Sequence, residues 1–303
     1  MTGGDPTAPA LSVVIPSVTG WRELDGCLAA LEREAATTAM ELLVPERCGE
    51  PVREALARRY PGARVLPVAP RTPIPAMRAL AFEQARGPTV AVLEDHVRVA
   101  AGWAEKILAA RAQGARVIGG TVTNAATTRT VDWAAFLCEY SQLAAPLEAG
   151  PAEWLTGNNT AYDTQLLRES RELLAEGRWE DVLHQSLRRQ GVRLWCRPDL
   201  VAEHERHYTV SEYLAQRYLF ARSYAGMRLR RAGWLRRAGY GLLALGLPPV
   251  LLLRVVGRVW RGGRHRAELL RALPLLALFV LAWGIGETAG AWLGEGDALG
   301  RVT

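Results

Sequence analysis

Three side chains that can bind a metal ion follow one another at Glu94, Asp95 and His96. They come directly after an apolar run at residues 90–93. A short apolar run with a Gly-Pro pair before it and charge after it is typical of a buried parallel strand. Because ligands bind at the carboxyl ends of strands in open α/β sheets, these three residues are a candidate reacting centre. The alternative is a strand that ends in ordinary solvated charges.

A second group of acids, Glu180 and Asp181, stands at the start of a predicted helix, residues 180–190, which ends at Gly191. A carboxylate at a helix start can accept the proton of a hydroxyl group that attacks a reacting centre. The helix dipole also favours acids at this position without any function. We rank Asp181 before Glu180 as the candidate base.

Strands and helices alternate through the first hundred residues and would position these side chains. Predicted strands cover residues 11–15, 40–44, 63–68 and 90–93, and predicted helices cover residues 21–35, 51–60, 75–85 and 103–113. Further along, strands are predicted at residues 117–123 and 192–196, helices at 131–140 and 163–175, and a polar turn at 154–162. The alternation predicts an α/β fold with a doubly wound, mostly parallel sheet. The sequence contains neither a GxGxxG after the first strand nor a P-loop, which argues against dinucleotide and P-loop sites.

Composition and charge narrow the class of protein. The chain has 303 residues and a net charge of +6, carried almost wholly by arginine, which suits partners that bear phosphate groups. Four scattered cysteines argue against a zinc site and favour a reduced compartment. The N-terminal residues MTGGDPTAPA lack the features of a signal peptide, so we expect the bulk of the chain to stay cytosolic. The arginine clusters adjoin apolar segments rather than stacking aromatics, so nucleic acid is not an expected partner.

The last third of the chain is predicted to associate with a membrane. Residues 210–237 combine an apolar side with seven arginines, which indicates a basic amphipathic helix at a membrane surface. Residues 238–303 contain two hydrophobic segments, 238–256 and 272–294, and both are short for a span of about 20 residues. Either the two form a hairpin, or a re-entrant first segment precedes a single crossing that keeps the arginines inside. The alternative is two buried helices of a soluble domain.

Six pieces of the sequence, taken in order, resemble a family 2 glycosyltransferase of the GT-A fold. They are LSVVIP at residues 11–16, the L-x2-C-L-x2-L helix that begins at Leu24, Arg78, Leu93-Glu94-Asp95-His96, Gly157-Asn158-Asn159, and Glu180-Asp181 with Gly191 ten residues on. The resemblance covers residues 11–224 and implies a nucleotide-sugar-dependent catalytic domain over residues 1–209. Ala79 stands where the family has Asn, and Pro45-Glu46-Arg47-Cys48 stands where it has Asp-Asp-Gly-Ser, which leaves the donor base open.

The resemblance also implies roles for individual residues. The implied metal ligands are Asp95 and His96, ranked before Glu94, together with His204 or His207. The implied donor-binding residues are Pro16, Ser17, Glu46, Arg78, Glu94 and Asp95. The implied acceptor-binding residues are Gly157, Asn158, Asn159, Gln216 and Arg217. A divalent cation, Mn²⁺ or Mg²⁺, would neutralise the diphosphate of a nucleotide-sugar, and the imidazole ligand favours Mn²⁺.

We therefore expect an inverting, hexosyl-transferring enzyme, because a single base implies direct displacement. The expected partners are a cytosolic nucleotide-sugar donor, a lipid-linked or cell-envelope glycan acceptor, and membrane lipids. The expected location is the inner or plasma membrane, with the catalytic domain on its cytoplasmic side. One alternative is a non-catalytic, membrane-bound module that binds a sugar or a partner. The other is a sugar-nucleotide nucleotidyltransferase, which the missing N-terminal Gly-rich loop disfavours.

Overall fold

A computed structural model describes residues 8–303, so most of the N-terminal stretch discussed above lies outside it. The chain divides into two compact units. The first contains residues 8–123 and 146–205, and the second contains residues 124–145 and 206–303. These bounds differ from the predicted domains, because the segment 124–145 groups with the C-terminal helices rather than with the sheet.

The first unit is built on a sheet of nine strands among the described residues. They are β1 (Leu11–Val14), β2 (Met40–Glu46), β3 (Arg64–Pro67), β4 (Thr89–Leu93), β5 (Val97–Val99), β6 (Val117–Asn124), β7 (Gly150–Ala152), β8 (Asn159–Asp163) and β9 (Leu194–His204). The order is β3-β2-β1-β4-β8-β6-β9-β5, and β7 pairs with β9. The predicted α/β fold with a mostly parallel central sheet is confirmed, since β3-β2-β1-β4 are parallel. Beyond β4 the pairings of β8 with its neighbours are antiparallel.

Thirteen helices occur within residues 8–303. They are α1 (Trp21–Ala35), α2 (Glu50–Arg59), α3 (Ile74–Gln84), α4 (Trp103–Ala112), α5 (Thr130–Tyr140), α6 (Thr164–Glu169), α7 (Arg171–Ala175), α8 (Glu180–Arg189), α9 (Val210–Leu229), α10 (Trp234–Ala244), α11 (Leu247–Gly262), α12 (Arg266–Leu293) and α13 (Ala298–Arg301). In the first unit the helices cover both faces of the sheet. Apolar residues of α1, α2 and α4 form one core, and those of α3, α6 and α8 form the other.

The strand β8 occupies part of the stretch that was predicted as a polar turn. Its first residue, Asn159, is fully buried, and its side chain hydrogen-bonds Trp103 Nε1 and the carbonyl oxygens of Thr121 and Leu200. A polar side chain whose hydrogen bonds are satisfied inside the protein can lie in a buried strand. The polar composition therefore misled the prediction, because these partners come from distant parts of the chain.

The second unit is a group of helices in which α9 packs along α12. A Cβ on Gly286 or Gly290 would clash with the carbonyl oxygens of Tyr218 and Arg222, so the two glycines permit a close approach of the helices. The prediction of a single interfacial helix over residues 210–237 is thus corrected. α9 ends at Leu229, and half of its apolar residues are buried, with Tyr213 and Leu219 among them.

The structure agrees only in part with the two predicted membrane segments. Residues 238–256 fall on two helices, α10 and α11, which meet at an angle of 51°. Among residues 8–303, α12 alone is a single helix long and apolar enough to cross a membrane, and the bent pair would count as a second span only if taken together.

Candidate metal and active site

The end of β4 carries the candidate reacting centre, and the sheet brings a second histidine to it. Glu94, Asp95 and His96 fill the short link between β4 and β5. β5 pairs antiparallel with β9 in a register that sets Val97 opposite His204. The last residue of β9 is thereby placed beside His96, although the two histidines are 108 positions apart in the sequence.

Three ligand atoms converge there, from Glu94, His96 and His204, and all lie within 4.8 Å of one another. His96 Nε2 lies 3.1 Å from His204 Nε2 and 3.3 Å from Glu94 Oε2. Two ligands at right angles on an ion with bonds of about 2.1 Å lie about 3.0 Å apart. Two imidazoles and one carboxylate at these spacings therefore fit one divalent cation, with further positions open to a substrate.

Asp95 has a different position from the one expected of a metal ligand. It is fully buried, and one of its oxygens accepts hydrogen bonds from the backbone N–H groups of Val18 and Thr19, at 2.6 and 2.8 Å. Its other oxygen lies 3.0 Å from His96 Nδ1. Burial raises the pKa of Asp95, but hydrogen bonds and charge from His96 outweigh burial, so this pKa lies below its ordinary value.

An ionised Asp95 can only accept, so His96 Nδ1 must donate to it. In a neutral ring the lone pair then lies on Nε2, on the side of Glu94 and His204, whereas a protonated ring donates from Nε2 to Glu94. A carboxylate that fixes the ring of a metal-binding histidine is a common second partner in metal sites. In this geometry Asp95 orients His96 and also holds the loop that follows β1.

Glu94 is held from the other side by Arg78 and Asn158. Asn158 Nδ2 donates to Glu94 Oε2 at 3.2 Å, and Arg78 Nη2 lies 3.9 Å from Glu94 Oε1. Burial raises the pKa of Glu94, but the hydrogen bond from His96 and the charges of His96, Arg78 and His204 lower it well below its ordinary value. Glu94 is consequently charged at neutral pH and suited to bind a cation.

Arg78 links this group to the start of α8. The guanidinium is buried, and its Nη1 lies 3.0 Å from Glu180 Oε2. A Cβ on Gly157 would lie 2.6 Å from both Arg78 Nη1 and Glu180 Oε1, so a larger residue would displace the ion pair. Asp181 is half-buried in the first turn of the same helix. The structure thus gathers five of the predicted site residues, Arg78, Glu94, Gly157, Asn158 and Glu180, around one continuous set of contacts.

Other predicted site residues lie elsewhere. Glu46 is buried at the end of β2, where it accepts from the N–H groups of Cys48 and Gly49 and pairs with Arg53, so it holds the loop that leads into α2. Ser17, which follows Pro16, forms an isolated β-bridge with Glu46. Both Pro16 and Ser17 belong to the loop that Asp95 holds. Asn159 is engaged in the core, as described above.

The remaining predicted residues belong to the second unit. Gln216 accepts a hydrogen bond from the N–H of Thr303. The guanidinium of Arg217 stacks on the ring of Trp283, 4.1 Å from its centroid. His207 pairs with Asp132, 2.8 Å from its Nδ1. Nothing in these contacts assigns the three residues to an acceptor or to a metal.

A buried pair of polar side chains, one on α8 and one on β8, was not predicted from the sequence. His184 Nε2 lies 2.8 Å from the hydroxyl of Tyr162, and both side chains are buried. Burial, and then the charge of Arg78, lower the pKa of His184 to about 4. The only available signal was the spacing of His184, one helical turn after Glu180 and Asp181 on the same helix.

Among known proteins, solved structures are similar to this chain. No family model matches the sequence, and no curated protein matches it. The structure of TarS residues 1–349 from S. aureus is similar over 92% of this chain and 90% of that one, with a TM-score of 0.46 and 14% identity.

The mannosyltransferase PcManGT from Pyrobaculum calidifontis, solved with GDP-Man and Mn²⁺, is similar over 94% of this chain and 74% of that one, with a TM-score of 0.48 and 15% identity. Both TM-scores are below 0.5, so the assignment of a function depends on the side chains of the site.

Proposed function

We propose that this protein is a divalent-cation-dependent glycosyltransferase that moves a sugar from a nucleotide-sugar donor to an acceptor hydroxyl group. The observation that carries the proposal is the convergence of Glu94, His96 and His204 at the end of β4. The end of a strand in a mostly parallel sheet is where such folds bind ligands. The implied ion is Mn²⁺ or Mg²⁺, and the two imidazoles favour Mn²⁺.

In this proposal each residue around the cation site has a defined task. A cation held by Glu94, His96 and His204 would neutralise the negative charge of the departing diphosphate. Asp95 orients His96, and Arg78 and Asn158 hold Glu94 in place. Pro16 and Ser17 lie in the loop after β1 and are proposed to line the donor site. Glu46 and Asn159 are assigned structural tasks instead, because their side chains are engaged in the interior.

Asp181 is proposed as the base that removes the proton from the acceptor hydroxyl. Glu180, the second candidate, is already paired with Arg78. One base beside one departing group corresponds to direct displacement with inversion at the anomeric carbon. The acceptor is proposed to be lipid-linked or part of an envelope glycan, with the C-terminal helices at a membrane. Gln216 and Arg217 are proposed only as acceptor contacts.

The test begins with the donor. A thermal-shift screen of UDP-, GDP- and dTDP-sugars on the detergent-solubilised protein should find a donor that raises Tm, and more strongly with Mn²⁺ than without. Nucleotide release from that donor is then measured for Asp181→Asn and for Asp199→Asn, which changes an exposed acid on β9. We expect Asp181→Asn to retain the thermal shift and to lose about a hundredfold or more in turnover, the usual range for a general base.

Asp199→Asn should keep nearly full turnover. A protein that binds none of the donors, or whose turnover survives Asp181→Asn unchanged, would contradict the proposed function and favour a non-catalytic module.

A further inference from the structure

The register of α9 against α12 bears on whether α12 can cross a membrane. The rings of Tyr213 and Phe279 are in contact, with centroids 4.6 Å apart. Phe279 is at the middle of α12, and Tyr213 is in the first turn of α9. Gly286 and Gly290 then approach successive turns of α9. The N-terminal end of α9 therefore lies beside the midpoint of α12, and the two helices run in the same direction from there.

Polar and charged groups lie at the N-terminal end of α9, on one side of that midpoint. α9 begins with a capping box in which Thr209 and Glu212 exchange hydrogen bonds, and Glu212 is exposed. The N–H of Tyr208, whose ring contacts Tyr213, donates to Asp132. Asp132 is also paired with Arg129 and with His207, which is 42% exposed.

If α12 crossed a bilayer, Phe279 would lie within the hydrocarbon, because the apolar part of the helix begins at Ala272, and the start of α9 would lie there too. A charged side chain at that depth costs at least about 2.5–3.5 kcal/mol. The exposed capping box and the Asp132 group are therefore incompatible with α12 as a spanning helix in this structure.

The apolar surface of the same unit has the form of an in-plane membrane contact. Leu243, Trp234 and Leu253, on α10 and α11, are 78%, 75% and 70% exposed. α10 and α11 have 11 and 16 residues, so they are about 17 and 24 Å long, and neither reaches the 30 Å of a hydrocarbon core. α11 carries arginines at positions 254, 258 and 261, one helical turn apart, as amphipathic interfacial helices do.

The charge of this region indicates the kind of lipid. Residues 206–303 contain fifteen arginines against five acidic residues, although the whole chain has a net charge of only +6. Arginines next to exposed leucines and tryptophans match a surface of anionic headgroups above an apolar layer.

We propose that the second unit is a monotopic membrane anchor, in which the exposed apolar side chains of α10 and α11 enter one leaflet of an anionic bilayer. α12 does not cross, and both of its ends stay on the same side of the membrane. This topology rests on the membrane attachment in the proposed function, but it requires neither a donor nor turnover, so it is tested separately from catalysis.

The sidedness of α12 is tested with two exposed positions at its ends. Arg264→Cys and Asp297→Cys are labelled with a membrane-impermeant maleimide in intact spheroplasts and in inside-out vesicles, with the parent protein as the background. We expect both positions to react in one preparation and neither in the other. Reaction of the two positions from opposite sides would overturn the proposal, whichever of the two is outside.

Attachment is tested by flotation of the full-length protein with vesicles of phosphatidylcholine alone or of phosphatidylcholine mixed with anionic phosphatidylglycerol. We expect flotation with the anionic vesicles and a loss of about tenfold or more in the double variant Leu243→Asp, Leu253→Asp. The control Ala36→Asp adds the same kind of charge at an exposed position of the first unit and should float as the parent does. Failure to float, or equal loss in the control, would overturn the proposal.

Discussion

Within residues 8–303, a buried aspartate lies beside a histidine Nδ1 in each of the two compact units, and the two aspartate–histidine pairs are built alike. In the first unit, buried Asp95 accepts from two backbone N–H groups and lies 3.0 Å from His96 Nδ1. In the second unit, buried Asp132 accepts from the N–H of Tyr208 and lies 2.8 Å from His207 Nδ1. Judged by the pair alone, either histidine could be a ligand with a carboxylate behind it.

The two pairs differ in what lies on the other side of the imidazole. His96 Nε2 faces His204 and Glu94, at distances that suit one cation. Asp132 is also paired with Arg129, and His207 is not part of the metal-binding group found among residues 8–303. A buried acid beside a histidine can therefore belong to a metal site or can only stabilise the fold. A metal site is recognised by the further ligand atoms that converge on the imidazole.

The largest expected effect separates the two regions by function. His204→Ala removes one of three proposed cation ligands, and we expect turnover to fall by about a hundredfold or more, since even a residue that only hydrogen-bonds to a metal ligand is worth about 10–100-fold. His207→Ala, only three positions further along the chain, should leave turnover within about threefold of the parent. Initial rates of nucleotide release, measured over a range of Mn²⁺ concentrations, provide the comparison. Equal losses in the two variants would mean that the distinction drawn here is wrong.

A smaller effect is expected at the two aspartates. Asp95→Asn and Asp132→Asn each remove a charged acceptor from buried hydrogen bonds, so each should cost about 2–3 kcal/mol of unfolding free energy. Only Asp95→Asn should also weaken Mn²⁺ binding, by about tenfold or more, because only Asp95 orients a proposed ligand. Urea unfolding and a Mn²⁺ titration are needed for both variants. If Asp132→Asn also weakened Mn²⁺ binding, the proposed difference between Asp95 and Asp132 would be wrong.

The smallest effect concerns a histidine that has no acid beside it. The pKa of His184 is lowered to about 4, so the ring is neutral in the folded protein at pH 6, whereas the unfolded chain takes up a proton below about pH 6.5. The contribution of His184 to the free energy of unfolding is therefore fully present above that pH. It decreases as the pH falls towards 4, by about 0.7 kcal/mol between pH 7 and pH 6. Urea unfolding at both pH values should show this decrease, and His184→Gln should diminish it by that amount. An unchanged pH dependence in the variant would show that another group is responsible.

The sequence predicted the features that depend on nearby residues. The apolar run before Glu94 and the alternation of strands and helices located the candidate centre at the end of β4. This was possible because a buried strand is a short run of consecutive apolar residues. The sequence did not separate His204 from His207, since their difference arises from the register of β5 against β9.

The sequence also did not distinguish the roles of adjacent residues of the same type. Asn158 lies in the turn before β8 and contacts Glu94, whereas Asn159 is the first residue of β8 and hydrogen-bonds inside the core. The arginines of α9 suggested a surface helix, yet Arg217 is stacked on Trp283 of α12. Such a contact can be predicted only once the packing of the helices is known.

The central claim is that Glu94, His96 and His204 bind a divalent cation. Electron paramagnetic resonance of Mn²⁺ titrated into the full-length protein, with and without UDP or GDP, measures this binding directly because free aqueous Mn²⁺ gives the strongest signal. The account predicts one bound Mn²⁺ per chain for the parent and for His207→Ala, and binding weakened by about tenfold or more in His204→Ala. Equal affinity of all three proteins for Mn²⁺, or its loss in His207→Ala alone, would contradict the account.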